Sequence, residues 1–256
     1  MESWSGNGAA LLNQAVRNNA LWCDSVCAAQ GKSGAFTSSL WSSLHGTPPF
    51  YPDAVTLTQN DSALHERSIM ELVQTDVFRS WTVKDSYANL GLDDLGFEVV
   101  FDAEWIAISA RDAALKKSAG SLTWQRMTSA SDLSRWRTAW SEGGSTHTAD
   151  EIFHDALLTH TDIAFVLAVD GDVVIGGAAL NRGAGVVGLS NVFTSDESAS
   201  AVWNGLVSEA AAIFPDQSLV GYERDTDLST AKAVGFDTIG PLRVWSRESR
   251  TTTRGH

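Results

Sequence analysis

The stretch Val186-Val-Gly-Leu-Ser-Asn-Val-Phe193 decides how the rest of the chain is read. It has the length and the β-branched, apolar content of a strand. A helix-like run follows it to Phe214. Then come Ser218-Leu-Val-Gly-Tyr-Glu-Arg224, a short helical segment ending in Ala233-Val-Gly-Phe236, and Gly240-Pro-Leu-Arg-Val-Trp245. The order is strand, helix, strand, helix, strand. At its close Gly235 supplies the left-handed helix stop that residues with a Cβ resist, and Phe236 enters the core as the last strand begins.

Upstream, Leu122 to Met127 reads as a strand. Ser131 caps a helix through Trp140 that sets Leu133, Trp136 and Trp140 on one face. Glu142 to Thr148 is a Gly/Ser/Thr loop, and Glu151 to His160 is a short helix. A strand from Asp162 to Val169 turns at Asp170-Gly171-Asp172 into a returning strand, Val173 to Asn181, and Gly183-Ala184-Gly185 is a second turn.

The first half repeats the later part of this order. Ala9 to Gln30 is a helix, with Leu12, Val16, Ala20, Cys23 and Cys27 at helical spacing and Gly31 as its stop. Lys32 to Pro52 is a loop whose aromatics (Phe36, Trp41, Phe50, Tyr51) pack on the body, the alternative being a pocket wall. A strand from Ala54 to Thr58 leads to a helix capped by Asp61 and running to about Gln74. Arg79 to Lys84 is a strand, Asp85 to Leu92 a short helix or turn, and Gly96-Phe97 opens a long strand from Glu98 to Ile108. Both runs thus end in Gly-Phe and a strand carrying a Trp, Trp105 in one and Trp245 in the other. The repetition reads as a diverged internal duplication. Domains are expected at residues 1–110 and 121–246, joined by a linker, with 247–256 as a disordered tail.

Composition sets bounds. A formal net charge of −13 argues against general attraction to nucleic acid or an anionic membrane. No apolar run approaches a membrane span, and the start, Met1-Glu-Ser-Trp-Ser-Gly6, lacks the features of a secretory signal. A soluble cytoplasmic protein is expected, with its oligomeric state open. Cys23 and Cys27 share a helix face and read as buried structural thiols. His147, His154 and His160 do not have metal-ligand spacing, so no metal is expected.

The order from Leu122 to Trp245 resembles in full the GNAT superfamily of N-acyltransferases, and Ala54 to Ile108 resembles its later elements. The resemblance implies an α/β (α+β) fold of two mixed, mostly antiparallel sheets flanked by helices, a degenerate first half packing on a complete second one. It implies an acyltransferase that moves an acyl group from a pantetheine thioester to a small-molecule amine. The donor lies where two neighbouring parallel strands splay apart. On that mapping the pantetheine strand is Leu189 to Phe193, with Leu189, Val192 and Phe193 against the arm. The pyrophosphate of coenzyme A falls on Thr194 to Ser200, including Thr194 and Ser198, at a helix N-terminus where free N–H groups collect. Arg224 is a further donor-binding candidate. Glu223 is the candidate base and Tyr222 the candidate proton donor to the leaving thiolate, while Ser190 and Asn191 hold water or acceptor. Strand alternation sets Tyr222 and Glu223 on opposite faces, which leaves open which of them meets the cleft.

The chain departs from the family twice. Thr194 to Ser200 has no glycine and no cation but carries Asp196 and Glu197, which repel a pyrophosphate. The places that hold an Asn and a Tyr in the family hold Arg224 and Ala231. Three explanations are open. The donor is acyl-phosphopantetheine on an acyl carrier protein, as in GNAT-like enzymes of natural-product pathways, rather than acyl-coenzyme A. Or it is an aminoacyl-tRNA. Or the chain is a non-catalytic binding module. Arg111, Lys116, Lys117, Arg126, Arg135 and Arg137 are the only basic cluster available to a tRNA or an acidic carrier, and otherwise form a solvated face. Asp102 and Glu104 share a strand face, either to bind a cationic acceptor or as the solvent side of an edge strand.

Overall fold

The computed structural model describes residues 8–116, 122–142 and 149–249. Helix α1 (Gly8–Ala29) buries Leu11, Leu12, Ala15, Val16, Trp22 and Val26 along one side and stops at Gly31, whose φ is +73°. Three short strands follow, β1 (Ala35–Phe36), β2 (Leu40–Ser42) and β3 (Ala54–Thr56), then α2 (Ser62–Thr75), β4 (Trp81–Asp85), β5 (Glu98–Ile108) and α3 (Ala110–Ala114). The second half holds β6 (Thr123–Arg126), α4 (Ala130–Glu142), β7 (Ile163–Asp170), β8 (Val173–Gly183), β9 (Val186–Thr194), α5 (Ala199–Ile213), β10 (Leu219–Glu223), α6 (Asp225–Val234) and β11 (Asp237–Arg247).

Most element types agree with the sequence reading, and the differences have local causes. The expected 32–52 loop contains β1 and β2, because Trp41 is buried and its indole N–H donates to Asp24 of α1 at 3.0 Å. The expected helix from Glu151 to His160 is two 3-10 turns, Ala149–Glu151 and Asp155–Thr159, parted by the extended residue His154. Helix α4 starts from a reciprocal cap rather than from Ser131: Asp132 N–H donates to Ser129 Oγ, and the Asp132 carboxylate accepts from the N–H groups of Thr128 and Ser129. Asp61 does precede α2, but in left-handed conformation and without a side-chain cap. Part of the expected linker is α3, capped by Ser109, whose Oγ accepts from Asp112 N. The loop at 143–148, with His147, the linker residues 117–121 and the tail beyond 249 lie outside the described residues.

Two sheets were expected, and the strands instead form one continuous eleven-stranded sheet, ordered β1-β2-β3-β4-β11-β5-β10-β9-β8-β7-β6. Its pairs are antiparallel except β3·β4 and β9·β10, which are parallel. The last strand of each half is paired with the other half: β5 with β10, and β11 with β4. Consequently Trp245, from the end of the chain, is buried among Ile69, Val73, Trp81, Leu92 and Phe97 of the first half. Trp105 packs with Tyr222 of the second, ring centroids 5.5 Å apart.

The central β5·β11 pairing is symmetric under exchange of the halves. Ala103 faces Leu242, residues equally far beyond Gly96 and Gly235. Around that point Asp102↔Arg243 mirrors Glu104↔Pro241, Phe101↔Val244 mirrors Trp105↔Gly240, and Val99↔Trp245 mirrors Ile106↔Thr238. Both register shifts obey the same exchange. Gly96 and Gly235 both end their helical segments in left-handed conformation, and Phe97 and Phe236 are both buried. Trp105 and Trp245 are not register counterparts: Trp105 stands in the place of Val244.

Helices cover both faces of the sheet. One face, under α1 and α4, holds Trp22, Trp105, Trp136, Phe153 and Phe165. The other, under α3, α5 and α6, holds Ile106, Leu180, Trp203, Leu206 and Phe236. Among the described residues no helix is long and apolar enough to cross a membrane.

Candidate active site

The site begins where a pairing stops. Strands β9 and β10 run parallel and pair at Val187↔Leu219 and Gly188↔Val220, and no pair follows. Beyond that point β9 stays with β8, and β10 stays with β5. The divergence has a visible cause. Ser190 and Phe193 of β9 face Ala179 and Gly177 of β8, so Asn191 and Val192 together oppose Ala178. This is a β-bulge, which bends its strand and deepens its twist. Asn191 carries the left-handed conformation it requires, with φ +53°, which Asn tolerates better than most residues.

The opened V leads into a cleft of about 480 Å³. Leu189, Ser190, Asn191 and Val192 form one wall, and Tyr222, Glu223 and Arg224 the other. Asn19, Trp22 and Cys23 of α1 close it from one face, with Phe50, Tyr51, Pro52, Lys84 and Trp140 around them. Tyr222 and Glu223 both border the cleft although strand alternation points them to opposite faces. Once β9 has left β10, side chains on either face reach the gap. Tyr222 packs on the α1 face, and Glu223 lies on the other beside Asp227 of α6.

The polar groups are held firmly. Lys84 Nζ donates to Asn19 Oδ1 at 2.8 Å and to the Tyr222 hydroxyl at 3.2 Å, and lies 4.3 Å from the Tyr222 ring centre. The Tyr51 hydroxyl donates to Asn191 Oδ1 at 3.1 Å, which pins the bulge. Burial, with a smaller contribution from the Asp227 charge, pushes the Glu223 carboxyl up to about 8. Burial also raises Cys23, and raises the Tyr51 phenol well above its usual range.

Of the residues singled out in the sequence, Ser190, Asn191, Tyr222, Glu223, Leu189, Val192 and Arg224 come together here. Arg224 stands at the start of α6, its guanidinium 4.8 Å from the Phe101 ring centre and 3.8 Å from Asp225. Three others are placed elsewhere. Phe193 turns into the core, edge-on to Trp136 at 5.5 Å. Thr194 donates to the Ser195 carbonyl, and Ser198 precedes α5 without a side-chain cap bond. Ser195 lies before a 3-10 turn, Asp196–Ser198, and its carbonyl takes the Ser198 N–H. That N–H is therefore not free for a phosphate.

Other candidates disperse. Arg111 sits on α3, which follows the central strand β5, and Arg126 on β6, the far edge strand, five strands from β5. Arg137 is tied to Asp150 at 2.8 Å and Asp155 at 3.3 Å, and Arg135 donates to Gln125. Asp102 pairs with Arg243 on the neighbouring strand at 2.6 Å, and its strand is central, not an edge. Among the described residues no group of His, Cys, Asp and Glu could hold a metal ion. Sequence reading missed Asn19, Lys84, Trp22 and Trp140 as cleft residues. The available signals were Asn18-Asn19 on an otherwise apolar helix face and a lysine inside the strand Trp81-Thr-Val-Lys84.

No family model and no curated protein matches the sequence. Solved structures do match the fold. A GCN5-related N-acetyltransferase from Kribbella flavida aligns with TM-score 0.62 and 16% identity over 91% of this chain and 95% of its own. A functionally unknown conserved protein from Staphylococcus epidermidis gives 0.63 and 10%, over 84% and 93%. A GCN5-related N-acetyltransferase from Sphaerobacter thermophilus gives 0.53 and 12%, over 93% of both. The chain therefore has the GNAT fold, a mixed α/β architecture on a large, mostly antiparallel sheet.

Proposed function

We propose that this chain is an N-acyltransferase that takes an acyl group from a pantetheine thioester in the β9/β10 cleft and delivers it to a small-molecule amine. The observation that carries this reading is the open V, with Tyr222 and Glu223 at its edge. Backbone groups of β9 on the side that β10 has left are available to an extended pantetheine arm and to the developing oxyanion. The amine nitrogen attacks the thioester carbonyl, a C–N bond forms and the C–S bond breaks. The ammonium proton passes to the Glu223 carboxylate before attack, Tyr222 supplies a proton to the departing thiolate, and the excess N–H proton of the tetrahedral intermediate restores Tyr222. A carboxyl pushed up to about 8 is well matched to accept a proton near neutral pH. Ser190 and Asn191 hold water or acceptor.

The entrance to α5 favours a donor with few phosphates. It offers no glycine and no cation, and one of its N–H groups is already bonded. A carrier-bound acyl-phosphopantetheine, the donor of natural-product pathways, asks less of it than coenzyme A does. Among the described residues the dispersed arginines give an aminoacyl-tRNA no continuous phosphate track. The exchange symmetry of β5 and β11 supports descent from a tandem duplication, the first half being the degenerate copy that now shapes the acceptor side.

An intact-mass assay with acetyl-coenzyme A, an acetylated carrier protein and an amine mixture tests the reading. Amide product with carrier turnover above coenzyme A turnover is expected. Tight carrier binding without product from either donor would leave the non-catalytic alternative.

A further inference from the structure

Lys84 is 4% exposed, yet it points into the cleft. Buried ammonium groups are ordinarily paired with an opposite charge, because desolvating an unpaired one is expensive. Among the described residues no carboxylate lies within ion-pair distance of Lys84. Its two acceptors, Asn19 Oδ1 and the Tyr222 hydroxyl, are neutral. An ammonium has three N–H donors, so one remains. The Tyr222 hydroxyl, by accepting from Lys84, keeps its own proton to give. Among the described residues the cleft has a single carboxylate in its lining, Glu223, and that lies on the opposite face, toward α6. An overall acidic protein thus keeps an uncompensated cation inside its cleft.

We infer that Lys84 holds the carboxylate of the acceptor, so that the acceptor is an amino acid with an apolar body rather than a simple amine. This rests on the acyl-transfer reading. Lys84 and Asn19 lie on the α1 face, whereas the donor's phosphate end belongs with α5 on the other. The apolar body has its place too. Trp22, Phe50 and Trp140 line the same side, with Phe50 edge-on to Trp140 at 6.1 Å and 65% exposed toward solvent. Aromatic walls with one convergent polar group are the usual make-up of a small-ligand site.

The test uses matched pairs on the full chain: L-phenylalanine with phenethylamine, L-leucine with isoamylamine, and phosphoethanolamine with ethanolamine. Affinity is read from tryptophan fluorescence, and kcat/KM from the intact-mass assay. The carboxylate members are expected to lead their partners by about 10- to 100-fold. Lys84→Met should collapse that ratio, Lys84→Arg should retain part of it, and Asn19→Asp, which places a carboxylate against the ammonium, should abolish it. The last two report even if Lys84→Met fails to fold. Turnover without carboxylate preference, or a preference that survives both Lys84→Met and Asn19→Asp, overturns the inference and leaves acyl transfer standing. A preference for phosphoethanolamine alone also overturns it. Lys84-dependent amino-acid binding with no turnover from any donor supports it and removes the transferase reading instead.

Discussion

The two parallel strand pairs of this sheet occupy equivalent places and differ in one respect: β9/β10 opens and β3/β4 is zipped shut. Counted through their partners on the central strands, Tyr222 and Lys84 correspond, as do Glu223 and Asp85. In the second half pairing ends at Val220, before that level. In the first half it runs straight through it, at Ala54↔Val83 and Val55↔Lys84. It is extended by Asp53 N–H to the Thr82 carbonyl at one end and Ser86 N–H to Thr56 Oγ1 at the other. One half keeps a bulge and a cleft. The other spends the same backbone on hydrogen bonds, and its strand-end carboxylate, Asp85, is buried accepting from Leu90 N at 2.9 Å and Tyr87 N at 3.3 Å. A GNAT scaffold can thus be a site or a support depending on whether its two central parallel strands part.

Substitutions at the corresponding carboxylates should separate these roles most sharply. Glu223→Gln is expected to lower kcat by about 10²- to 10⁴-fold while the chain stays folded, checked by steady-state kinetics alongside circular dichroism. Trp245→Ala should cost about 3–5 kcal/mol in urea unfolding, since it empties the core of the half it does not belong to in sequence. By the same token residues 1–110 alone, which lack β11, should not give a folded spectrum, and a cooperatively folded fragment would contradict the exchanged-strand account. Asp85→Asn should cost about 1–3 kcal/mol and leave KM and kcat nearly unchanged.

Glu223 also predicts a pH signature. Its folded-state value, about 8, lies above its ordinary 4.5. The stability linked to its protonated form is therefore complete below about 4.5 and is lost as pH climbs to 8. Glu223→Gln should raise Tm relative to the parent at pH 8, with the gap closing toward pH 4. Asp227 is the charge that reinforces the shift, Arg224 is its neighbour in sequence, and Glu104 is its strand partner. In the parent, kcat/KM should rise with pH, stand at half its limit near 8 and level off above that. A flat profile would remove Glu223 as the base. The smallest effect is expected at the bulge: Asn191→Ala loses the Tyr51 bond and a tolerated left-handed conformation, for about 1 kcal/mol.

Much of this was legible from local chemistry. Among the described residues periodicity placed five of the six α-helices, the Gly-Phe pairs marked two left-handed stops, and the β9 segment was recognisable from Val186-Val-Gly-Leu-Ser-Asn-Val-Phe193. The sheet order was not legible, because exchanging β5 and β11 between halves is a choice among non-local pairings that each strand's own pattern satisfies equally. The bulge at Asn191 was hidden for the same reason, since it exists only relative to β8. Lys84 and Asn19 escaped notice because the cleft assembles them from a strand and a helix far from Tyr222 in sequence. Strand alternation alone forced a choice between Tyr222 and Glu223 that the splayed geometry removes.

The central claim is that the β9/β10 gap, and not a pyrophosphate loop, grips the donor. Isothermal titration of phosphopantetheine and of coenzyme A against the parent and Ser190→Trp addresses it directly. Phosphopantetheine binding at least as tightly as coenzyme A, and loss of both when the bulky side chain fills the gap, is the predicted result. Binding of coenzyme A alone, or of both ligands undiminished by Ser190→Trp, would contradict it.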